Sequence, residues 1–570
     1  MPSQPKHTPL QSRDSFELAS LVSSSELDGD ASSSRGSADR LSHFDFEDDE
    51  DLRQHLSFEN VRRESYAESL FNYGDHLIPL AASAENGNGQ ALPLEKQKKL
   101  TVLNGLSLVI GLQIGSGIFS SPSQVDSQAG SPGASIIVWL IAGLLVWTGA
   151  SSYAELGSAI PLNGGAQAYL HHIFGPLPAF LFAWTAIIIL KPGSTAIIGI
   201  VFAEYMGRLI FSPSSTHDGI NHGETGQTYS PVWFNKLVGI AAILLITFIN
   251  IISTRLGTRT GDIFLFIKIG SLVVVTVIGI IYWLLGKGAG NFSEGWFYGS
   301  SDSLGNYAIA LYAGLWAFDG WDNLNYVAAE MKNASRDLPK VIHYSMPIVI
   351  ISYLSANLAY YIVLPSSELK KSSTIGLAFG ELVFGRVGAI VFTITVALSC
   401  FGALNAIAFT SARLVYVSGK DGFLPSMFGK INKRTDTPIN ALILQAALTI
   451  LFILAGEFKT LLTFYGVAGY VFYFLTVLGV IVLRVREPQL ERPYKTFITT
   501  PILFCCVALF LISRGIFSAP MEALFAALFV LLGIPIYYLR AGGGLYNMPL
   551  FGRFFKPKVR DQTTNVPLSM

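Results

Sequence analysis

Gly111-Leu-Gln-Ile-Gly115-Ser-Gly117-Ile-Phe119-Ser-Ser-Pro122 interrupts the first long apolar run of the chain. Gly115 and Gly117 flank a serine about 14 residues after that run begins, which at about 1.5 Å per residue is near the middle of a bilayer. Each glycine weakens a helix by about 1 kcal/mol relative to alanine. In lipid, unpaired backbone is tolerated only where it is buried in protein or lines a polar cavity. A half-helix restarting after such a break aims bare N–H groups at the cavity, and these suit an anion such as a carboxylate. Close helix packing through small residues is the other reading of the motif taken alone.

The rest of the chain supports a membrane setting. Of its 570 residues, 51% are hydrophobic and 14% charged, against about 25% charged in a soluble domain. The formal charge of zero averages an acidic tail with basic loops. Twelve apolar segments follow one another at 101–121, 133–156, 176–210, 233–254, 262–285, 306–329, 341–364, 387–412, 438–455, 458–483, 498–513 and 519–539. An even number places both termini on one side. With the termini cytoplasmic, inner loops hold roughly 22 Lys/Arg and outer ones roughly 7, as the positive-inside rule requires. Residues 1–98, rich in Ser, Asp, Glu and Gly, read as a disordered cytoplasmic tail. A segment such as Ser65-Tyr-Ala-Glu-Ser-Leu-Phe-Asn-Tyr73 is open to docking, including by regulatory trafficking proteins. Asn291-Phe-Ser293 is a glycosylation sequon on the outer side, a short and weak motif.

A second interruption mirrors the first. Gly314-Leu-Trp-Ala-Phe-Asp319-Gly320-Trp-Asp322 lies about 203 residues, or five segments, after Gly111. Both stretches open on Gly-Leu and place a glycine six positions later. An odd number of spans per repeat inverts the second copy, and paired broken helices mark the binding site of a transporter. The expected organisation is an all-α membrane protein of 12 transmembrane helices. Residues 99–285 form the first inverted repeat and 286–484 the second. Residues 485–540 supply two trailing helices, and 541–570 a cytoplasmic tail.

At these residues the chain resembles the L-type amino acid transporter family, within the amino acid–polyamine–organocation superfamily. The resemblance runs over about residues 100 to 540 and is carried by several motifs. They include Tyr153-Ala-Glu-Leu-Gly157, Pro161-Leu-Asn-Gly-Gly-Ala-Gln-Ala-Tyr169 and Glu330-Met-Lys-Asn333. Arg336-Asp-Leu-Pro339, Ser411-Ala-Arg-Leu414 and Glu491-Arg-Pro-Tyr-Lys495 complete the set. The polar tail and several local choices are most similar to the fungal high-affinity methionine permeases.

The resemblance implies a LeuT-like five-plus-five inverted repeat with helices 1 and 6 interrupted. The substrate carboxylate would meet N–H groups at Ile114, Gly115, Ser116 and Gly117. Its ammonium would meet the broken sixth helix near Trp316, Phe318, Asp319 and Gly320. A helix C-terminus carries about half a negative charge, which suits an ammonium. Two features depart from the family. The loop 211–232 has no cysteine, so no disulfide-linked heavy chain is expected. Asp319 and Asp322 stand where many members have Gly and Asn, which opens the coupling scheme.

Ionisable residues inside a membrane are functional candidates, since they cost at least about 2.5–3.5 kcal/mol to insert. Lys191 lies too deep in the third segment to snorkel easily, and serves either recognition or an ion pair. Lys268, in the fifth segment, takes by resemblance the place of a sodium ion beside the first helix; a snorkelling lysine is the plain alternative. Asp319 and Asp322 share a broad face if the helix is continuous, and serve either proton coupling or packing and capping at the break. Tyr465 and Tyr470 resemble positions lining the side-chain pocket, or pack. No phosphate loop, zinc motif or cysteine metal spacing occurs, so no cofactor, enzyme or nucleic-acid partner is expected. Cys400, Cys505 and Cys506 fall in apolar runs and read as inert. The sequence is thus read as a plasma-membrane amino acid permease. Its expected substrates are neutral, methionine first, carried by proton symport. Amino acid exchange and a transporter-like nutrient sensor are the alternatives.

Overall fold

The computed structural model describes residues 100–211, 231–252, 254–372, 374–432, 435, 437–455, 458–518 and 520–541. The N-terminal tail, most of the loop 211–232 and the C-terminal tail, with the expectations that fall on them, lie outside the described residues.

The first apolar run folds as α1 (Val102–Gln113), a gap at 114–116, a single turn α2 (Gly117–Ser120), and α3 (Pro122–Ala129). Thr101 caps α1 by accepting from the Asn104 amide, while Asn104 reaches back to the Thr101 amide. The second and third runs become α4 (Pro132–Ala159), α5 (Ala166–Phe174), α6 (Pro176–Thr185) and α7 (Lys191–Phe211). A π-helical turn at Ala186–Leu190 joins α6 to α7 immediately before Lys191. Next come α8 (Val232–Ile252) and α9 (Thr254–Leu284).

The sixth run breaks as expected. Helix α10 (Leu304–Ala317) stops, Phe318–Asp322 form a turn, and Asn323–Glu330 continue as a 3-10 stretch. Beyond lie α11 (Ala334–Val363), α12 (Ser366–Lys371), α13 (Ile375–Lys420) and α14 (Ile439–Ala455). Helices α15 (Phe458–Arg486), α16 (Thr499–Ser518) and α17 (Pro520–Ala541) end the described chain.

Among the described residues, ten helical spans are long and apolar enough to cross a membrane. The two of the twelve expected segments outside that set have visible reasons: α14 has 17 residues, and the sixth segment is cut at its turn. Leu244, Phe266, Val273, Leu524 and Leu531 are exposed although strongly apolar, while Glu155, Glu330 and Arg413 are buried. In water this distribution would be inverted; in lipid each group finds a suitable medium.

The sequon residue Asn291 is already engaged. Its Nδ2 donates to the carbonyls of Tyr361 and Leu364, both at 2.7 Å, and its Oδ1 accepts from the Ser366 amide. The side chain thereby ties the loop to the end of α11. Glycosylation there would break this tie.

Candidate functional site: a cavity between two broken helices

The glycine six positions into each motif explains why the two interruptions meet. A Cβ on Gly117 would lie 2.5 Å from the Cα of Ala317, in the sixth segment. A Cβ on Gly320 would lie 2.6 Å from the Cγ of Leu112, in the first. Gly320 also has φ +103°, in the region that favours glycine. Each break therefore has a glycine that lets the other segment approach.

The breaks are held open from outside. The Ser399 hydroxyl donates to the carbonyls of Ile114 and Gly115 at 2.9 and 3.1 Å. The Tyr353 hydroxyl bridges the carbonyls of Gln113 and Ala317, at 2.5 and 3.0 Å, joining the two segments directly. Gln113 Nε2 donates to the Phe318 carbonyl at 3.1 Å. These side chains take up carbonyls released by the breaks, as a buried backbone requires. The amides of Ser116 and Gly117 have no acceptor among the described residues, and the buried Ser116 hydroxyl is also without a partner. Donors stay free on this edge, while many of the acceptors are taken.

These donors line a cavity with Leu112, Gln113, Gly115, Ser194, Ile198, Trp316, Ala317 and Asp319. Asp319 supplies a carboxylate to that lining, held by Ser194 Oγ at 3.5 Å and the Tyr473 hydroxyl at 3.4 Å. One wall is donor-rich and the other offers a negative charge. An α-amino acid carries the complementary pair of charges on adjacent groups.

The other expected residues lie around this core at different distances. Two of the four expected N–H donors are not available: the Ile114 amide still closes the last turn of α1 by donating to the Ile110 carbonyl at 2.8 Å, and the Gly115 amide donates to the Gln113 carbonyl at 2.7 Å, with the Ile114 side chain buried behind the break. Trp316 lines the cavity; Phe318 turns away to pack on Trp139 and Tyr353, with centroids at 6.0 and 4.7 Å. Asp322 does not share a face with Asp319, because the turn at Gly320 resets the direction. Its Oδ2 lies 3.9 Å from Lys191 Nζ and accepts from the Tyr326 hydroxyl at 3.1 Å. Lys191 also stands 4.3 Å from the centre of the Tyr326 ring. The lysine thus sits in an ion pair, beside the cavity rather than in its lining. Tyr470 packs edge-on against Tyr312 and Tyr473. The side chain of Tyr465 lies outside the described residues. Lys268 is fully buried and donates to the Gly111 carbonyl, one turn before the first break.

Sequence reasoning did not find Gln113, Ser194, Ser399, Tyr353 or Tyr473. Buried tyrosines need a partner for their hydroxyls, which was the one signal available. It marks Tyr353 and Tyr473 but leaves their partners open. Among the described residues, no group of His, Cys, Asp and Glu is placed to hold a metal.

A family profile described as amino acid permease matches residues 100–539. The chain is 36% identical over 444 residues to the b(0,+)-type amino acid transporter 1 of Mus musculus, covering 78% of this chain and 88% of that one. It is 34% identical over 474 residues to the large neutral amino acids transporter small subunit 2 of Mus musculus, covering 82% and 84%. The cystine/glutamate transporter of Homo sapiens is 34% identical over 446 residues, covering 78% and 86%.

Proposed function

Because this chain belongs to the amino acid permease family, we propose that it is a secondary active permease importing neutral amino acids, methionine first, by proton symport. The chain is a transporter rather than an enzyme, as its relatives are. It works by alternating access, with two five-helix inverted repeats rocking around the cavity. Its setting is the plasma membrane, with both termini cytoplasmic, as the charge of the loops supports.

One observation carries the reading: free donors at Ser116 and Gly117 and the Asp319 carboxylate line one cavity. The substrate carboxylate occupies the donors. Its ammonium meets Asp319, which replaces the backbone carbonyls as the main acceptor, since the Trp316 and Phe318 carbonyls already accept bonds. Trp316 and Ile198 offer apolar surface to the side chain. The preference for methionine rests on the likeness to fungal methionine permeases. Lys268, holding the first helix at Gly111, is the coupling residue in this scheme, with Asp319 and Asp322 as further proton carriers.

Exchange is the second reading: the relatives' names refer to transport of large neutral amino acids and of cystine and glutamate and do not specify the coupling. Uptake of a labelled amino-acid panel into proteoliposomes decides between them. Symport gives methionine accumulation into empty vesicles when a pH gradient is imposed. Exchange gives uptake only into preloaded vesicles, and a sensor gives binding with no movement.

A further inference from the structure

Asp262, near the start of the fifth segment, is the one described carboxylate that fastens the first half of the broken helix α1. Its Oδ1 accepts from Ser107 Oγ at 2.5 Å, and its Oδ2 accepts from Asn104 Nδ2 at 3.1 Å. Asn104, Ser107 and Gly111 are spaced to lie on one stripe of α1. The third of these is bound, through its carbonyl, by Lys268 from the same helix α9. Helix α1 is therefore tied to α9 at two levels, by a carboxylate near the start of α1 and by an ammonium nearer its break. A third tie sits at the tip, where Leu100 and Lys332 share a backbone bond and Leu100 also donates to the Glu330 carbonyl.

A narrow cavity runs beside these ties. Leu100, Asn104, Ser107 and Leu108 line one end and Lys268 the other, against Asn405 and Phe409 of α13. At about 20 Å³ it has room for about one water. That is too small for an amino acid. Among the described residues, no cation forms an ion pair with Asp262, so its two neutral donors are its described bonds.

We propose that Asp262, with Asn104 and Ser107, is a latch that keeps the terminus-side half of the first helix shut, and that its release opens the cleft leading to Lys268. This rests on the alternating-access reading above. In that role Asp262 is a positioning residue: it touches neither substrate nor the cavity between the breaks.

The test uses the full chain carrying Leu108→Cys and Cys506→Ser, in vesicles that present the termini outward. The probe is a membrane-impermeant maleimide, and the readout is the rate of labelling at position 108. Asp262→Ala is expected to raise that rate at least tenfold. The pair Asn104→Ala with Ser107→Ala should raise it as much, and all three changes together should give no further increase. Asp262→Asn, which keeps an acceptor of the same shape, should fall between. Equal rates in every variant overturn the latch. So do rates that multiply when the changes are combined, since independent packing defects behave that way. If Asp262→Ala does not yield folded protein, the Asn104/Ser107 pair decides for or against the latch by itself. Labelling needs no transport, so an unmodified chain that moves no amino acid overturns the permease reading while the labelling rates still judge the latch.

Discussion

A methyl group at position 117 would occupy space already filled by the Cα and Cβ of Ala317. The neighbour is backbone, so it cannot rotate aside, and the two broken segments must separate. Overpacking of this kind costs about 1–3 kcal/mol. It also pulls the free amides at 116 and 117 away from Asp319. Gly117→Ala is expected to give folded protein with methionine binding weakened at least tenfold. Scintillation proximity binding measures this, and unchanged affinity would refute the close-approach argument. Lys268→Ala acts on a different atom. It removes the ammonium from the Gly111 carbonyl and leaves the cavity lining unaltered. Proton-driven accumulation is expected to be lost while methionine still binds; normal accumulation under a pH gradient would sink the coupling role. The two acids of the sixth segment show what a sequence conceals at this scale. Helical spacing puts Asp319 and Asp322 on one face, but the positive φ of Gly320 sends one to the cavity and the other to Lys191. A glycine announces that the chain can turn, not the direction it takes.

At the scale of elements, buried charged contacts hold the loop ends of the helices together. Glu155 of α4 accepts from Arg484 of α15 at 2.8 and 2.5 Å and from the Thr496 amide at 2.9 Å. Arg413 of α13 donates to Glu330 at 3.0 Å. Glu155, Glu330 and Arg413 sit in the motifs that carried the family resemblance, so their presence was legible, while Arg484 and Thr496 do not, and none of the pairings was: the partners are 83 to 341 residues apart, a distance no local pattern spans. The links at Asp421 were equally silent. Gln167 of α5 donates to its Oδ2 at 2.6 Å, and Ser418 donates to Gln167 at 2.6 Å, so α5 is clipped to the end of α13. Burial pushes the Asp421 carboxyl up to about 6, with the Gln167 bond opposing. A carboxyl raised by folding favours the folded state while protonated. That contribution is present below the ordinary carboxylate range and fades as pH rises through about 6. The thermal midpoint in detergent is therefore expected to fall between pH 5 and pH 7. In Asp421→Asn, which cannot ionise, that fall should shrink; an identical pH profile in both proteins would show that the buried carboxyl is not responsible.

For the whole molecule, the apolar runs and both interruptions were readable because lipid allows so few alternatives: a spanning segment is a helix, and a broken one needs a reason. The mutual fit of Gly117 and Gly320 was not readable, because it depends on two segments meeting that are about 200 residues apart. The tail sets the limit in the other direction. Residues 1–98 hold the acidic block Phe44-Asp-Phe-Glu-Asp-Asp-Glu-Asp51 and lie ahead of the described residues. The described body begins at Leu100, whose backbone bonds to Glu330 and Lys332, and Thr101 caps α1 directly after it. Every described contact of the cavity and of the proposed latch is made by residues from Leu100 onward. Removing residues 2–90 keeps Lys96, Lys98 and Lys99, and with them the positive charge before the first span. The shortened chain is expected to transport methionine in proteoliposomes within about twofold of the full chain, while its turnover at the cell surface changes because docking sequences such as 65–73 are gone. Uptake assays and surface biotinylation followed over time measure the two effects separately. A shortened chain that folds but no longer transports would mean that the tail completes the transport machinery, and that the body from Leu100 onward is not sufficient for it.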